Sequence, residues 1–208
     1  FYHQDREIPL EQVLSIDFFT VHPQAYWEWF AQENAREGVA PNAAHRFVAD
    51  LERAGKLSAV VTQNIDGLHQ QAGSERVLEL HGNWSRLTCT GCGEHITLDD
   101  VDDARSGKVP HCPACASVLR PAIVFYGEML DSDVIEGAVR AISEADLLIV
   151  AGTSLVVYPA AGLIDYYAGE RLVLMNATPT PYDSRADLII REPVGQVFEE
   201  LGRRSRRP

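Results

Sequence analysis

Leu57-Ser58-Ala59-Val60-Val61-Thr62-Gln63-Asn64-Ile65-Asp66-Gly67-Leu68-His69 sets a short apolar run directly against a cluster of amide, carboxylate and imidazole groups. The run over 57–63 shows no period-two alternation, the pattern expected of a strand buried on both faces of a parallel sheet. A turn after the strand needs only Gly67, so the polar cluster asks for another reason. In open parallel sheets ligands bind just past the carboxyl ends of the strands. An Asx-type turn leading into a helix cap would use the same residue types.

The same strand signature recurs at 147–151 (Leu-Leu-Ile-Val-Ala) and 172–176 (Leu-Val-Leu-Met-Asn). Between these runs the spacing becomes helical: 42–54 places Ala43, Phe47 and Leu51 on one face, and 133–145 does the same with Val134, Ala138 and Ile142. Alternating strands and helices predict an α/β fold with a parallel sheet. The first forty residues read as helical and aromatic, with Phe18, Phe19, Tyr26, Trp27, Trp29 and Phe30 forming a packing cluster. At the other end, Arg203-Arg204-Ser205-Arg206-Arg207 reads as a solvated, frayed tail.

Cys89-x-x-Cys92 and Cys112-x-x-Cys115 interrupt this pattern as two knuckles separated by 19 residues. Four thiolates at this spacing match a structural Zn(2+) site, with no coordination position left open for substrate. Gly91 and Gly93 are expected to allow the tight turn of the first knuckle, and Pro110 and Pro113 to stiffen the second.

The composition narrows the function classes. Of 208 residues, 46% are hydrophobic, enough for one sizeable core with a small satellite. Acidic residues outnumber basic ones 30 to 18, and the net charge of −12 opposes non-specific binding to nucleic acid or to an anionic membrane. No run of about 18 apolar residues occurs. The opening Phe1-Tyr2-His3-Gln4-Asp5-Arg6 lacks the pattern of a secretory signal, so a cytoplasmic protein is expected.

Three further places carry chemistry. His81, in Leu78-Glu79-Leu80-His81-Gly82, follows an apolar strand and offers an imidazole suited to a general base, although a lone histidine is more often a satisfied structural group. Gly152-Thr153-Ser154 follows the strand at 147–151 with backbone N–H groups and two hydroxyls suited to a phosphate or ribose. Asn176 ends the strand at 172–176 with an amide able to bond a ribose hydroxyl; alone, it is an ordinary turn residue.

Taken in order, five segments resemble the sirtuins, the NAD-dependent protein lysine deacylases, and most of all bacterial deacetylases of that family. They are Thr62–His69, Leu80-His81-Gly82, the four cysteines, Arg120-Pro121-Ala122-Ile123-Val124-Phe125-Tyr126-Gly127-Glu128, and Gly152-Thr153-Ser154-Leu155-Val156-Val157-Tyr158-Pro159-Ala160-Ala161. The resemblance implies a Rossmann-like NAD-binding domain over 46–83 and 121–208. It implies a small domain made of a helical module over 1–45 and a zinc ribbon over 84–120.

The resemblance also implies roles. His81 would be the catalytic base. Asn64 and Asp66 would hold the nicotinamide ribose and carboxamide, with Gln63 and Ile65 beside them. Gly152, Thr153 and Ser154 would contact phosphate and ribose, Asn176, Ala177 and Thr178 the adenosine ribose, and Val194 the adenine. Val124, Tyr126, Gly127 and Glu128, with Leu155, Val156 and Val157, would form the two edges that hold an acetylated-lysine peptide as an added strand. An apolar tunnel lined by Val124 and Tyr126 would accept the neutral acyl-lysine and reject the charged amine.

The reaction so implied consumes NAD: the acyl oxygen displaces nicotinamide, His81 deprotonates a ribose hydroxyl, and the acetyl group passes to ADP-ribose. Family members that prefer acidic acyl chains carry a Tyr-x-x-Arg pair where this chain has Trp27-Glu28-Trp29-Phe30, and from there no arginine follows until Arg36. Acetyl or longer apolar acyl groups are therefore expected. The same NAD site would serve protein ADP-ribosylation, and a fragment without turnover would still bind peptide.

Sirtuins open with a strand, a Gly-Ala-Gly-x-Ser turn and a Pro-Asp-Phe-Arg loop, and none of these occurs in the 208 residues. The expectation is that this first strand–helix unit is missing, that the sheet lacks its central strand, and that these residues alone bind NAD poorly.

Overall fold

A computed structural model describes residues 8–34 and 39–205. In chain order, the helices α1 (Leu10–Val13), α2 (Ile16–Val21), α3 (Pro23–Asn34) and α4 (Ala43–Arg53) lead into β1 (Val60–Thr62), α5 (Leu68–Gln71) and β2 (Val77–Glu79). There follow β3 (Gly82–Cys89), β4 (His95–Thr97), α6 (Asp102–Arg105), β5 (Leu119–Ile123), α7 (Ser132–Ser143), β6 (Leu148–Ala151), β7 (Leu172–Met175), β8 (Leu188–Ile190) and α8 (Val194–Ser205). The chain divides into two compact units, one of Phe1–Val39, Asn64–Gly67 and His81–Leu130, the other of Ala40–Gln63, Leu68–Leu80 and Asp131–Pro208.

The first unit is built on aromatic side chains and an antiparallel sheet in the order β4-β3-β5. Tyr26, Trp27 and Phe30 of α3 are fully buried, and the rings of Tyr26 and Phe125 meet at 5.4 Å with their planes at 69°. Ile65, Leu87, Leu119 and Ile123 close the same core, so the predicted packing cluster is what the aromatic residues form. Ser15 starts α2 by accepting the Phe18 N–H at 3.1 Å, which spares one of the orphan donors of the first turn.

The second unit carries two parallel sheets, β1-β2 and β6-β7-β8. Asn42 caps α4, its side chain accepting from Ala44 N at 2.8 Å while His45 Nδ1 accepts from Asn42 N at 3.2 Å. Asp131 caps α7 in the same manner through the Asp133 and Val134 N–H groups. The predicted apolar face of α7 holds, since Ala138 and Ile142 are buried and Val134 packs beside them.

Two expectations change. Burial on both faces is met only by β7; in β6 the Leu148 and Val150 side packs on the core while Ile149 and Ala151 are exposed. The reason is that the helical layer of α7 and 160–166 covers one face of that strand. The basic end is no frayed tail over 203–205: α8 runs through Ser205, and Arg203 and Arg204 pair with Glu200 at 2.7 and 2.8 Å. Arg206 and Arg207, like Arg36 and residues 1–6, lie outside the described residues. No helix among the described residues is long and apolar enough to cross a membrane.

Candidate active site and metal centre

In the first unit, Asn64, Ile65 and Asp66 and the stretch from His81 to Glu128 share one framework. Ile65 enters the aromatic core, and its carbonyl accepts the Trp84 N–H at 3.2 Å. His81 is half-buried and directly precedes β3; its carbonyl accepts the Val124 N–H at 2.9 Å. Gly82 has φ +74°, and a Cβ there would lie 2.1 Å from the Ala122 carbonyl oxygen, so only glycine lets β3 start this close to β5.

The segment predicted to hold peptide is fastened twice. The Tyr126 N–H donates to Leu14 O at 2.9 Å and the Ile16 N–H to Tyr126 O at 3.0 Å, so the backbone of Tyr126 already pairs within the unit while its side chain stays exposed. Glu128 accepts from Arg120 Nη1 and Nη2, both at 2.6 Å, and from the Phe125 N–H at 2.9 Å. Burial alone would raise the Glu128 carboxyl, but the Arg120 fork, the Phe125 N–H and the Arg120 charge together hold it below its ordinary 4.5. Glu128 thus spends its carboxylate on the loop itself. Arg120 stands in a segment already quoted, but its pairing with Glu128 was not read from it, and Leu14 and Ile16 were missed because a short helical connection carries no motif.

In the second unit the predicted residues collect at the carboxyl edges of the two parallel sheets. The register Ala151↔Met175↔Ile190 ends the three strands level with one another. The Gly152 N–H donates to Met175 O at 2.9 Å and the Asn176 N–H to Ile190 O at 3.0 Å, so Gly152–Ser154, Asn176–Thr178 and Arg191–Val194 emerge together. In the other sheet Thr62 lies opposite Glu79, and the chain leaves at Gln63 and Leu80, the latter donating to Thr62 O at 2.9 Å.

Thr153 Oγ1 accepts the Leu155 N–H at 3.2 Å, and Leu155 takes a left-handed φ of +54° with its side chain in the core. Val156, Val157 and Tyr158 are exposed side chains of that loop. Tyr158 Oη lies 3.4 Å from Tyr182 Oη, which donates to Asp165 Oδ2 at 3.2 Å. The Tyr158 hydrogen bond, burial and the Asp165 charge push the Tyr182 phenol up to about 12. Arg191 was also missed, although it occupies at the end of β8 the position that Gly152 and Asn176 occupy after β6 and β7.

The four predicted metal ligands converge. The sulfurs of Cys89, Cys92, Cys112 and Cys115 all lie within 4.8 Å of one another, with Cys89–Cys115 at 3.4 Å and Cys92–Cys112 at 3.7 Å. Tetrahedral zinc with sulfur at about 2.3 Å needs sulfurs roughly 3.8 Å apart, so the set fits that ion. The Gly91 and Cys92 N–H groups donate to Cys89 Sγ at 3.3 and 3.4 Å, which favours a thiolate. Gly91 serves space here, since a Cβ would meet Ser117 Oγ at 2.3 Å; the left-handed turn belongs to Gly93, with φ +75°.

A family model described as the Sir2 family matches residues 2–159. An NAD-dependent protein deacetylase of Clostridium acetobutylicum is 48% identical over 193 residues, covering 93% of this chain and 78% of that protein. One of Cutibacterium acnes is 44% identical over 199 residues, covering 96% and 80%. Among solved structures, Sir2 bound to acetylated peptide matches with a TM-score of 0.85 at 42% identity, covering 93% of this chain and 83% of that one. A Sir2–p53 peptide–NAD+ complex matches at 0.83 with 40% identity, covering 97% and 86%.

Proposed function

Because the chain belongs to the Sir2 family, we infer that it is an NAD-dependent protein lysine deacetylase. It moves the acetyl group of a modified lysine to ADP-ribose and releases nicotinamide. The observation that carries this is 48% identity over 93% of the chain with a deacetylase that uses NAD. NAD, when bound, supplies the ribose carbon at which nicotinamide is lost and the hydroxyl that takes the acetyl group.

The residues divide the work by their chemistry. The Asp66 carboxylate is an acceptor suited to the amide N–H of nicotinamide, and the Asn64 side chain can orient a ribose hydroxyl or a water. His81 takes the proton from the ribose hydroxyl. Its carbonyl anchor at Val124 fixes the backbone beneath the ring, which supports that role. Gln63 and Ile65 flank this group. In the second unit, Gly152, Thr153 and Ser154 offer hydroxyls and N–H groups to phosphate and ribose, Asn176, Ala177 and Thr178 border the adenosine ribose, and Val194 faces the adenine in this reading.

Val124, Tyr126 and Gly127 of the first unit and Val156 and Val157 of the second are assigned to the acetyl-lysine peptide, with Glu128 and Leu155 each holding its own segment in shape. Trp27 and Phe30 are fully buried in an apolar core, which supports acetyl or longer apolar acyl groups over acidic ones. The four cysteines would hold a structural zinc that stabilises the β3–β5 ribbon and takes no part in turnover. Four unbridged cysteines in such a set accord with the reducing cytoplasm, where we place the protein.

The test is nicotinamide release by the intact protein. It is expected only when NAD and an acetyl-lysine peptide are both present, and to be lost in His81→Ala. Release that survives this substitution overturns the role of His81, and release without acetyl-lysine overturns the deacetylase reading.

A further inference from the structure

The turn that follows β7 is held in shape by a residue outside it. Asn176 Nδ2 donates to Thr178 O at 2.9 Å and to Thr178 Oγ1 at 3.2 Å, which leaves Oδ1 as the atom of that amide suited to a sugar hydroxyl. Arg191 Nη1 donates to two backbone carbonyls, Asn176 O and Thr178 O, both at 2.9 Å. Its Nη2 pairs with Asp183 Oδ2, while Asp183 Oδ1 accepts from Thr180 N at 3.1 Å and Thr180 Oγ1 at 2.8 Å. One guanidinium therefore joins both ends of the turn from Asn176 to Asp183. Burial alone would raise the Asp183 carboxyl, yet the Thr180 hydroxyl and Arg191 hold it below its ordinary range, so the pair is charged at neutral pH.

We propose that Arg191 is a positioning residue for the adenosine end of NAD, clamping the Asn176–Thr178 turn to Asp183 so that the turn meets the ribose already shaped. This rests on the reading of Asn176–Thr178 as the adenosine-ribose contact. A planar fork suits the task because it reaches three acceptors in fixed directions, which a single ammonium does not. Arg191 acts through the turn and touches no reacting atom, so it governs how tightly the dinucleotide is held and leaves the chemical step alone.

The experiment compares Arg191→Met and Arg191→Lys with the intact wild-type protein, using ADP-ribose binding by calorimetry together with steady-state kinetics. Arg191→Met is expected to weaken ADP-ribose binding and raise the KM for NAD by roughly tenfold or more, the scale of losing charge-assisted hydrogen bonds. The KM for acetyl peptide and the kcat at saturating NAD are expected within about twofold of wild type, a split that a general loss of structure would not give. Arg191→Lys, which keeps the charge beside Asp183, is expected to fall between the two, and it carries the test should Arg191→Met fail to fold. ADP-ribose affinity equal to wild type in the lysine and methionine variants, or parallel loss for peptide and NAD, overturns the proposal. A wild-type protein that binds no ADP-ribose overturns the NAD reading beneath it.

Discussion

The backbone N–H of Val124 donates to the carbonyl of His81 at 2.9 Å, so the proposed catalytic base and the proposed peptide-binding edge are fixed to each other by one hydrogen bond. The next residue pair in register, Gly82 with Ile123, continues that attachment into the β3–β5 ladder. A base held by sheet backbone keeps its place better than one on a free loop.

Gly82→Ala is expected to break this attachment. The added Cβ would stand 2.1 Å from the Ala122 carbonyl oxygen at a φ of +74°, a backbone collision that no rotamer relieves. We expect a stability loss of about 2 kcal/mol or more and a drop in turnover beyond what the unfolded fraction explains. A melting curve and activity like those of wild type would show that β3 can start elsewhere.

The zinc reading is open to a stability measurement independent of catalysis. Removing metal with a chelator is expected to lower the thermal melt and to loosen the β3–β5 ribbon, with Cys112→Ser giving a similar loss because Cys112 is buried. An unchanged circular dichroism melt after verified metal removal contradicts a structural ion.

The strands could be found in the sequence, since apolar runs after helical spacing are local patterns, and β1, β6 and β7 fall within the runs at 57–63, 147–151 and 172–176. The four cysteines were equally plain, because metal-ligand spacing is written along the chain. How many faces of a strand are covered is a property of the layer above it, which is why the exposure of Ile149 escaped notice. The same holds for the pairing of Arg120 with Glu128, although one quoted segment contains both, and for Arg191, whose partners Asn176 and Asp183 are close only in space. Long-range partners of a charge have no sequence period.

The Arg120–Glu128 pair gives a pH dependence of definite sign. A carboxyl whose folded-state pKa is depressed adds stability above its ordinary value of 4.5 and loses it as pH falls through the lower folded value. Glu128→Gln is therefore expected to melt below wild type at neutral pH, with the gap closing as the pH drops below about 4.5 and wild type itself becomes protonated. A gap that stays constant into acid would mean that the carboxylate charge contributes nothing.

Tyr26 tests the aromatic core. Its hydroxyl is fully buried without a hydrogen-bond partner among the described residues, an arrangement that costs about 1–3 kcal/mol. Tyr26→Phe is expected to leave the protein as stable or more so, whereas Phe30→Ala, which opens a cavity in the same cluster, is expected to cost about 3–5 kcal/mol. Urea unfolding distinguishes these, and a Tyr26→Phe variant clearly weaker than wild type would point to a bound water at the hydroxyl.

The central claim is that this chain transfers an acetyl group from lysine to ADP-ribose at the expense of NAD. The most direct measurement is a mass balance of the products formed by the intact protein from NAD and an acetyl-lysine peptide, read by mass spectrometry at early times. The account predicts equimolar nicotinamide, deacetylated peptide and acetylated ADP-ribose. Free acetate formed without NAD consumption, or ADP-ribose attached covalently to protein with the peptide still acetylated, would contradict it.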